Sequence, residues 1–557
     1  MAHEEILAAV DAGRLMDCVR AVCTGERLSN EPEAQAFDVL HKSLEDAVCR
    51  VTRESLPGYV STPEGASFEA GGEAYEVLTH PMTPSVEGLE APLAYVPVDA
   101  VGETAPADVS GRIVLTDGLA MEPVVRALED RGAAGVVFIT GEEIHNMIVS
   151  RVWGSPTPET LHDYVGIPVA SLSFGDGTRL RARLAEAGGT LPARLSTRVE
   201  NRWTEIPVIT AEIRGADEDF VMVTGHVDSW GLGALDNASG NACAVELARI
   251  LAPLASDMRR SVRFVLWSGH SHGRYAGSTA WCDAHFEELE RHCLLNVNAD
   301  CLGGRGATVM TESPAMASTR GLARTALREA AGVTDWRGCR FSRSCDQSFW
   351  GAGVPSIFSQ VSEQPPFEGA AADAFGKMFG SGRTGGFGAW WHTRTDTPDK
   401  LDPENLARDV RVFASVLAHA LFDERLPVDA AAEVLELRDE LKTWQEKAGD
   451  SLDLSEVLAR LDLLAEALEV TARSDDPKRF ENRSRRVLSE IIPLAYVEGS
   501  VYSHDEALRA PPVPMLRLID ELASLSEHER NAALVSLRRA VNRLKASTAR
   551  ALEAARA

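Results

Sequence analysis

Three absences narrow the field before any motif is read. No apolar run in the 557 residues approaches the roughly 18 residues of a membrane span. There is no basic excess. The 83 acidic against 56 basic residues give a formal net charge of −27, which argues against nucleic acid, whose counterions basic patches must displace, and against anionic membrane. No CxxC pair occurs among the nine cysteines (18, 23, 49, 243, 282, 293, 301, 339 and 345). They read as reduced thiols, not as a disulfide framework or a cysteine-type zinc site. The first 28 residues carry Glu4, Glu5 and Asp11 and lack a signal-like apolar core, so the expected location is cytoplasmic. A chain this long exceeds one core, and three or so domains are expected.

What is present centres on residues 221–240, VMVTGHVDSWGLGALDNASG. An apolar, β-branched strand runs into a glycine-rich loop and then a helix, the place where an open α/β sheet holds its chemistry. The loop presents His226, Asp228 and Asp236. Imidazole and carboxylate together suit zinc, and manganese, nickel and iron accept the same donors. Asp228, two residues on and on the same side, is expected to accept the second ring N–H of His226. By itself, a His-x-Asp is more often a polar turn.

Along the chain, residues 1 to about 60 read as helical, with Ala36, Phe37, Leu40, Leu44 and Val48 forming one stripe. Short strands and Gly/Pro punctuation follow to residue 203: strand 109–118, helix 122–131, strand 132–140 and strand 167–172. Strands are expected again at 206–213, 262–267, 294–300 and within 345–358, with helices from Asn237 to Leu251 and Pro403 to Phe422. This alternation predicts an α/β fold, a mainly parallel mixed sheet flanked by helices. From about 429 onward the chain reads as all-helical, with capping boxes at 453–456 and 526–529. The Gly-rich stretch from Gly376 to Gly388, with Phe375, Phe379 and Phe387, is either a mobile lid or a long surface loop.

The string His226-x-Asp-Ser-x-Gly-x-Gly…Asp236-Asn-x-Ser-Gly240 resembles the first metal-binding motif of the co-catalytic zinc aminopeptidases of clan MH. That group includes glutamate carboxypeptidase II and the non-enzymatic transferrin receptor. The resemblance implies that His226 and Asp236 are ligands, with Asp236 bridging two metals. It extends to Asp300 at the end of its strand, and to His392 in WWHTRTDTPDKLD, which resembles the family's last ligand motif. It implies four regions: an N-terminal helical part (1–90), a protease-associated β-rich insert (91–203), a metal-binding catalytic domain (204–425) and a helical, dimer-forming domain (426–557). It also implies a homodimer.

One segment departs from the pattern. The family carries Glu-Glu after the strand ending at Trp267, as general base and as ligand. Here the loop is SGHSHGRYAG and reads as one residue longer than the family's. Alignment from the left places His270-Ser271 there, and alignment from Gly277 places Ser271-His272. Either histidine is a candidate for the lost ligand or base role, since imidazole does both. Arg274 and Tyr275 are candidates for a substrate carboxylate or oxyanion. Asp346 matches an aspartate of the family, whose following histidine is Gln347 here. The expected function is hydrolysis of an amide bond, in a peptide or a small molecule, through a metal-activated water with one or two Zn2+. The alternatives are a single-metal enzyme resembling the glutaminyl cyclases and a non-catalytic receptor-like protein.

Overall fold

The computed structural model describes residues 3–47, 50–101, 109–343, 345–379, 386–474, 476–507 and 510–557. Val48, Cys49, Ser344 and the middle of the 376–388 stretch (380–385) therefore lie outside the described residues.

Two long strands, Arg50–Ala70 and Leu191–Ile213, form the spine of the molecule. They pair antiparallel from Arg50↔Glu212 to Ala70↔Ala193, with one irregularity between Pro63 and Gly65. The expectation of helix up to about residue 60 is corrected here. Helix Glu31–Asp46 ends on schedule, and the chain turns into strand at Arg50. Its pairing partner lies some 140 residues away, and Pro57 and Gly58 blur the alternating pattern that marks a half-buried strand.

Each end of the spine carries a parallel block. On one side Ser261–Trp267, Phe220–His226, Cys293–Asn298 and Ser356–Ile357 follow in that spatial order, each parallel to the next. On the other side Val86–Tyr95, Ile113–Asp117, Gly135–Ile139 and Val169–Leu172 do the same. The sheet is therefore mixed, and the strands of the expected insert continue it without a break. Phe220–His226 and Cys293–Asn298 are buried at every residue, as parallel strands covered on both faces must be.

Helices Ala12–Val22, Ser239–Leu251 and Pro403–Phe422 join the first block in one apolar core with the C-terminal helices. The expected C-terminal helices appear as Ala430–Ala448, Ser455–Ser474, Pro477–Tyr496 and Glu527–Arg556. They are tied to the sheet region by the buried Arg260–Glu481 ion pair at 2.6 Å and by Glu433, which accepts hydrogen bonds from Ser318. Ser526 and Glu529 make the full reciprocal capping box. The box expected at 453–456 does not form: Asp453 accepts from the Ser455 N–H, and Glu456 instead pairs with Arg460 and Lys545. None of the eight described cysteines is joined in a disulfide. Among the described residues no helix is long and apolar enough to cross a membrane.

Candidate metal centre

The site forms where three adjacent parallel strands of the first block end. His226 is the last residue of its strand, Trp267 beside it leads into the 268–275 loop, and Asp300 follows Cys293–Asn298. His226 is fully buried. Its Nδ1 faces the Asp228 carbonyl at 2.9 Å. A carbonyl only accepts, so Nδ1 carries the proton and Nε2 keeps a lone pair for the site. That Nε2 lies 3.0 Å from Asp236 Oδ1 and 3.6 Å from Asp300 Oδ1.

His392 repeats the arrangement. Its Nδ1 faces the Asn146 carbonyl at 2.8 Å, and its Nε2 faces Asp236 Oδ2 at 3.1 Å. Asp236 thus turns one carboxylate oxygen to each histidine. The Asp228 carboxylate does not orient His226 as expected. It stands 3.7 Å from Nδ1 and instead accepts from the backbone N–H groups of His270 and Ser271 and from His272.

Backbone supports hold these donors in place. Asp396 accepts hydrogen bonds from the N–H groups of Leu235 (2.9 Å) and Asp236 (3.0 Å). Burial raises the Asp396 pKa to about 7 despite those two bonds. Arg27, fully buried, donates to the carbonyls of Val227, Leu232 and Gly233. Asn237 Oδ1 accepts from Gly240 and Cys301, joining the 236 loop to the 300 turn.

His226 Nε2, Asp236 Oδ1 and Asp300 Oδ1 are buried and make no hydrogen bond among the described residues. Buried polar atoms left unpaired this way mark the place of a missing partner. Two carboxylates and an imidazole nitrogen that converge on one point suit a divalent cation. The electrostatics agree. Burial opposes a proton on His226, yet the Asp300 charge and contacts with Asp228 and Asp236 raise its pKa well above the usual value. The site therefore attracts positive charge.

Of the loop residues, the structure brings His270 to the group and keeps His272 away from it. The His270 ring stacks on His226 at 3.8 Å with 10° between planes, and its Nδ1 lies 2.7 Å from Asp346 Oδ2. His226, His270 and Asp300 offer donor atoms within 4.8 Å of one another. His272 is fully buried, with Nδ1 on Asp228 (3.0 Å) and Nε2 on Ser29 Oγ (2.8 Å), so neither ring nitrogen points to the other donors. Tyr275 packs edge-on to His270 at 4.8 Å and stacks on Trp153 at 3.9 Å. Arg274 donates to the Ala507 carbonyl at 3.4 Å, and its Nε is buried without a partner.

A cavity of about 310 Å³ opens onto Asp236, Asp300, His270 and His392, with Arg274, Phe387 and Trp391 in its walls. Phe375 and Phe387 from the expected lid both pack on Trp391. Asn146, Met147 and Ile148 reach the centre from the 91–203 segment, in which the sequence marks no candidate site residue. Their contribution is a backbone carbonyl and apolar walls, which leave no mark in a motif.

Residues 208–417 match the model of peptidase family M28. The chain is 25% identical over 385 residues to aminopeptidase YwaD of Bacillus subtilis (strain 168), covering 68% of this chain and 77% of that protein. It is 27% identical over 177 residues to a glutamate carboxypeptidase 2 homolog of Caenorhabditis elegans, covering 30% of this chain and 21% of that relative. In fold it is similar to the crystal structure of a peptidase M28 precursor from Shewanella amazonensis SB2B, with a TM-score of 0.58 at 21% identity over 74% of this chain and 94% of the other. Sheet, converging donors and sequence match meet in the same segment: residues 208–417 are similar to peptidase family M28, and the chain is a metallo-aminopeptidase-like hydrolase.

Proposed function

We propose that the chain is a metal-dependent peptidase in which a histidine–aspartate pair, His270 with Asp346, serves where its relatives use two glutamates. The observation that carries the reading is the orientation of His226 and His392. Each spends Nδ1 on a backbone carbonyl and turns Nε2 toward Asp236. His226, Asp236, Asp300 and His392 hold the metal, and zinc is the ion their donor set fits best. When bound, the ion supplies Lewis acidity to the scissile carbonyl and lowers the pKa of water.

The chain's own residues supply the rest. Asp346 takes the Nδ1–H of His270, so Nε2 presents its lone pair to the cavity. His270 accepts the proton of the attacking water, and Asp346 stabilises the resulting imidazolium. The same proton then goes to the leaving amine. Arg274 offers a cation to a substrate carboxylate, and the apolar walls at Met147, Phe387 and Trp391 exclude water from the rest of the substrate. The relative described as an aminopeptidase supports release of an N-terminal residue from a short peptide as the reaction. The parallel strands from Val86 to Leu172 support reading residues 91–203 as a protease-associated domain.

A second reading differs in metal count. The Asp236 Oδ2–His392 pair has two protein donors, and the loop from Ser268 to Tyr275 contains no carboxylate to complete a second site. This favours one tightly held ion. The test is hydrolysis of aminoacyl-4-nitroanilides before and after chelation. Activity lost with the metal and restored by Zn2+ is expected, and activity indifferent to chelator contradicts the proposal.

A further inference from the structure

We propose that Cys301, as a thiolate, is an additional ligand of the ion held by Asp236 and Asp300. The inference rests on the metal centre proposed above and extends its donor set from nitrogen and oxygen to sulfur.

Cys301 follows Asp300 directly and is buried, 4% exposed, in the cavity wall. Its Sγ and one carboxylate oxygen from each of Asp236 and Asp300 lie within 4.8 Å of one another. The two carboxylates supply an independent sign of a missing ligand, because their Oδ1 atoms are buried without hydrogen-bond partners. The backbone places the thiol firmly. Cys301 has φ of 54°, a conformation unusual for a residue with a side chain. Its N–H donates to Asn237 Oδ1, and that of Leu302 donates to Ser239 Oγ. The turn carrying the sulfur is thus tied to the loop carrying Asp236.

The chemistry of the departure adds a reason. The loop after Trp267 gives the centre no carboxylate, so the anionic donors around this ion come from Asp236 and Asp300 on other elements. Cys301 as a thiolate is a further such donor, already facing both aspartates. As the sulfur–metal bond forms, the thiol proton leaves to solvent and no electron is transferred. A thiolate ligand biases the centre toward zinc or cobalt and away from magnesium, calcium and manganese. Cys339 and Cys345 line the same cavity but lie outside this donor group, and Cys339 donates to the Glu312 carbonyl at 3.0 Å.

The test uses the full chain, stripped with chelator and loaded with Co2+ alone. The wild type is expected to show a near-ultraviolet thiolate-to-cobalt charge-transfer band. Cys301→Ser abolishes the band and weakens cobalt binding by about tenfold or more, and Cys339→Ser and Cys345→Ser retain both. Cobalt bound without the band, or a band that survives in Cys301→Ser, overturns the proposal. Failure of the wild type to bind cobalt at all overturns the metal centre beneath it. Should Cys301→Ser not fold, X-ray absorption of the zinc-loaded wild type decides. One sulfur at about 2.3 Å is expected, and a shell of nitrogen and oxygen alone contradicts it.

Discussion

The two parallel blocks on either side of the long antiparallel spine are built alike and do different things. Both set buried, β-branched strands side by side with helices packed on them. At the strand ends of the first block, His226, Asp300 and the 268–275 loop bring together every candidate donor but Asp236 and His392, which loops from the same half supply. At the corresponding ends of the second block, Asp117 is spent on Tyr95 and Arg181, Ile139 is apolar, and no metal-compatible group appears among the described residues. The difference lies in loops, not in the sheet. The second block still reaches the centre, because the Asn146 carbonyl orients His392 and Trp153 backs Tyr275. One block supplies the donors, and the other orients one of them, His392.

The sharpest way to break this comparison is at the donor shared by both histidines. Asp236→Asn is expected to abolish metal binding and turnover together, while circular dichroism stays that of the wild type. Retained metal would move the centre elsewhere. The next largest effect belongs to the proton-handling pair. His270→Ala is expected to lower kcat by about 10²–10⁴-fold with the tight ion retained. Asp346→Asn should cost about 10–100-fold by freeing the ring, and a metal lost with either change would make His270 a ligand instead.

The second block is tested through stability. Phe138→Ala, in a fully buried strand, should cost about 3–5 kcal/mol in denaturant unfolding, while the metal content per folded chain is unaltered. A loss of metal without loss of stability would show that the block does more than support. The smallest effect is expected from Arg274→Met. It should raise KM for short peptides by about tenfold, in keeping with one charge-assisted hydrogen bond, and leave the same peptides with amidated C-termini unchanged. Equal effects on both would remove the carboxylate role.

How much of this was legible depended on how local the signal was. Helix Pro403–Phe422 was read to the residue because an Asp402 cap, a first-turn proline and a continuous apolar face all lie within one segment. His226, Asp236, Asp300 and His392 were legible as a set through the family resemblance of their motifs, and the structure places the four side chains beside one another. The spine was not. Arg50–Ala70 owes its conformation to a partner strand far along the chain, and no local period announces it. The His270 and His272 alternatives stayed open for a similar reason. Both have the right chemistry, and only the tertiary neighbours separate them, Asp346 for one, Asp228 and Ser29 for the other. Arg27 and Asp396 are not legible as site residues in the sequence because each acts on backbone groups. Asp396 lies inside WWHTRTDTPDKLD, whereas Arg27 carries no sequence signal.

Elemental analysis of the purified full chain, beside Asp236→Asn prepared identically, tests the central claim most directly. One divalent ion per chain in the wild type, surviving gel filtration and absent from the variant, is the result this structure predicts. A folded wild type that carries no metal and takes up none from Zn2+ or Co2+ solutions would contradict it.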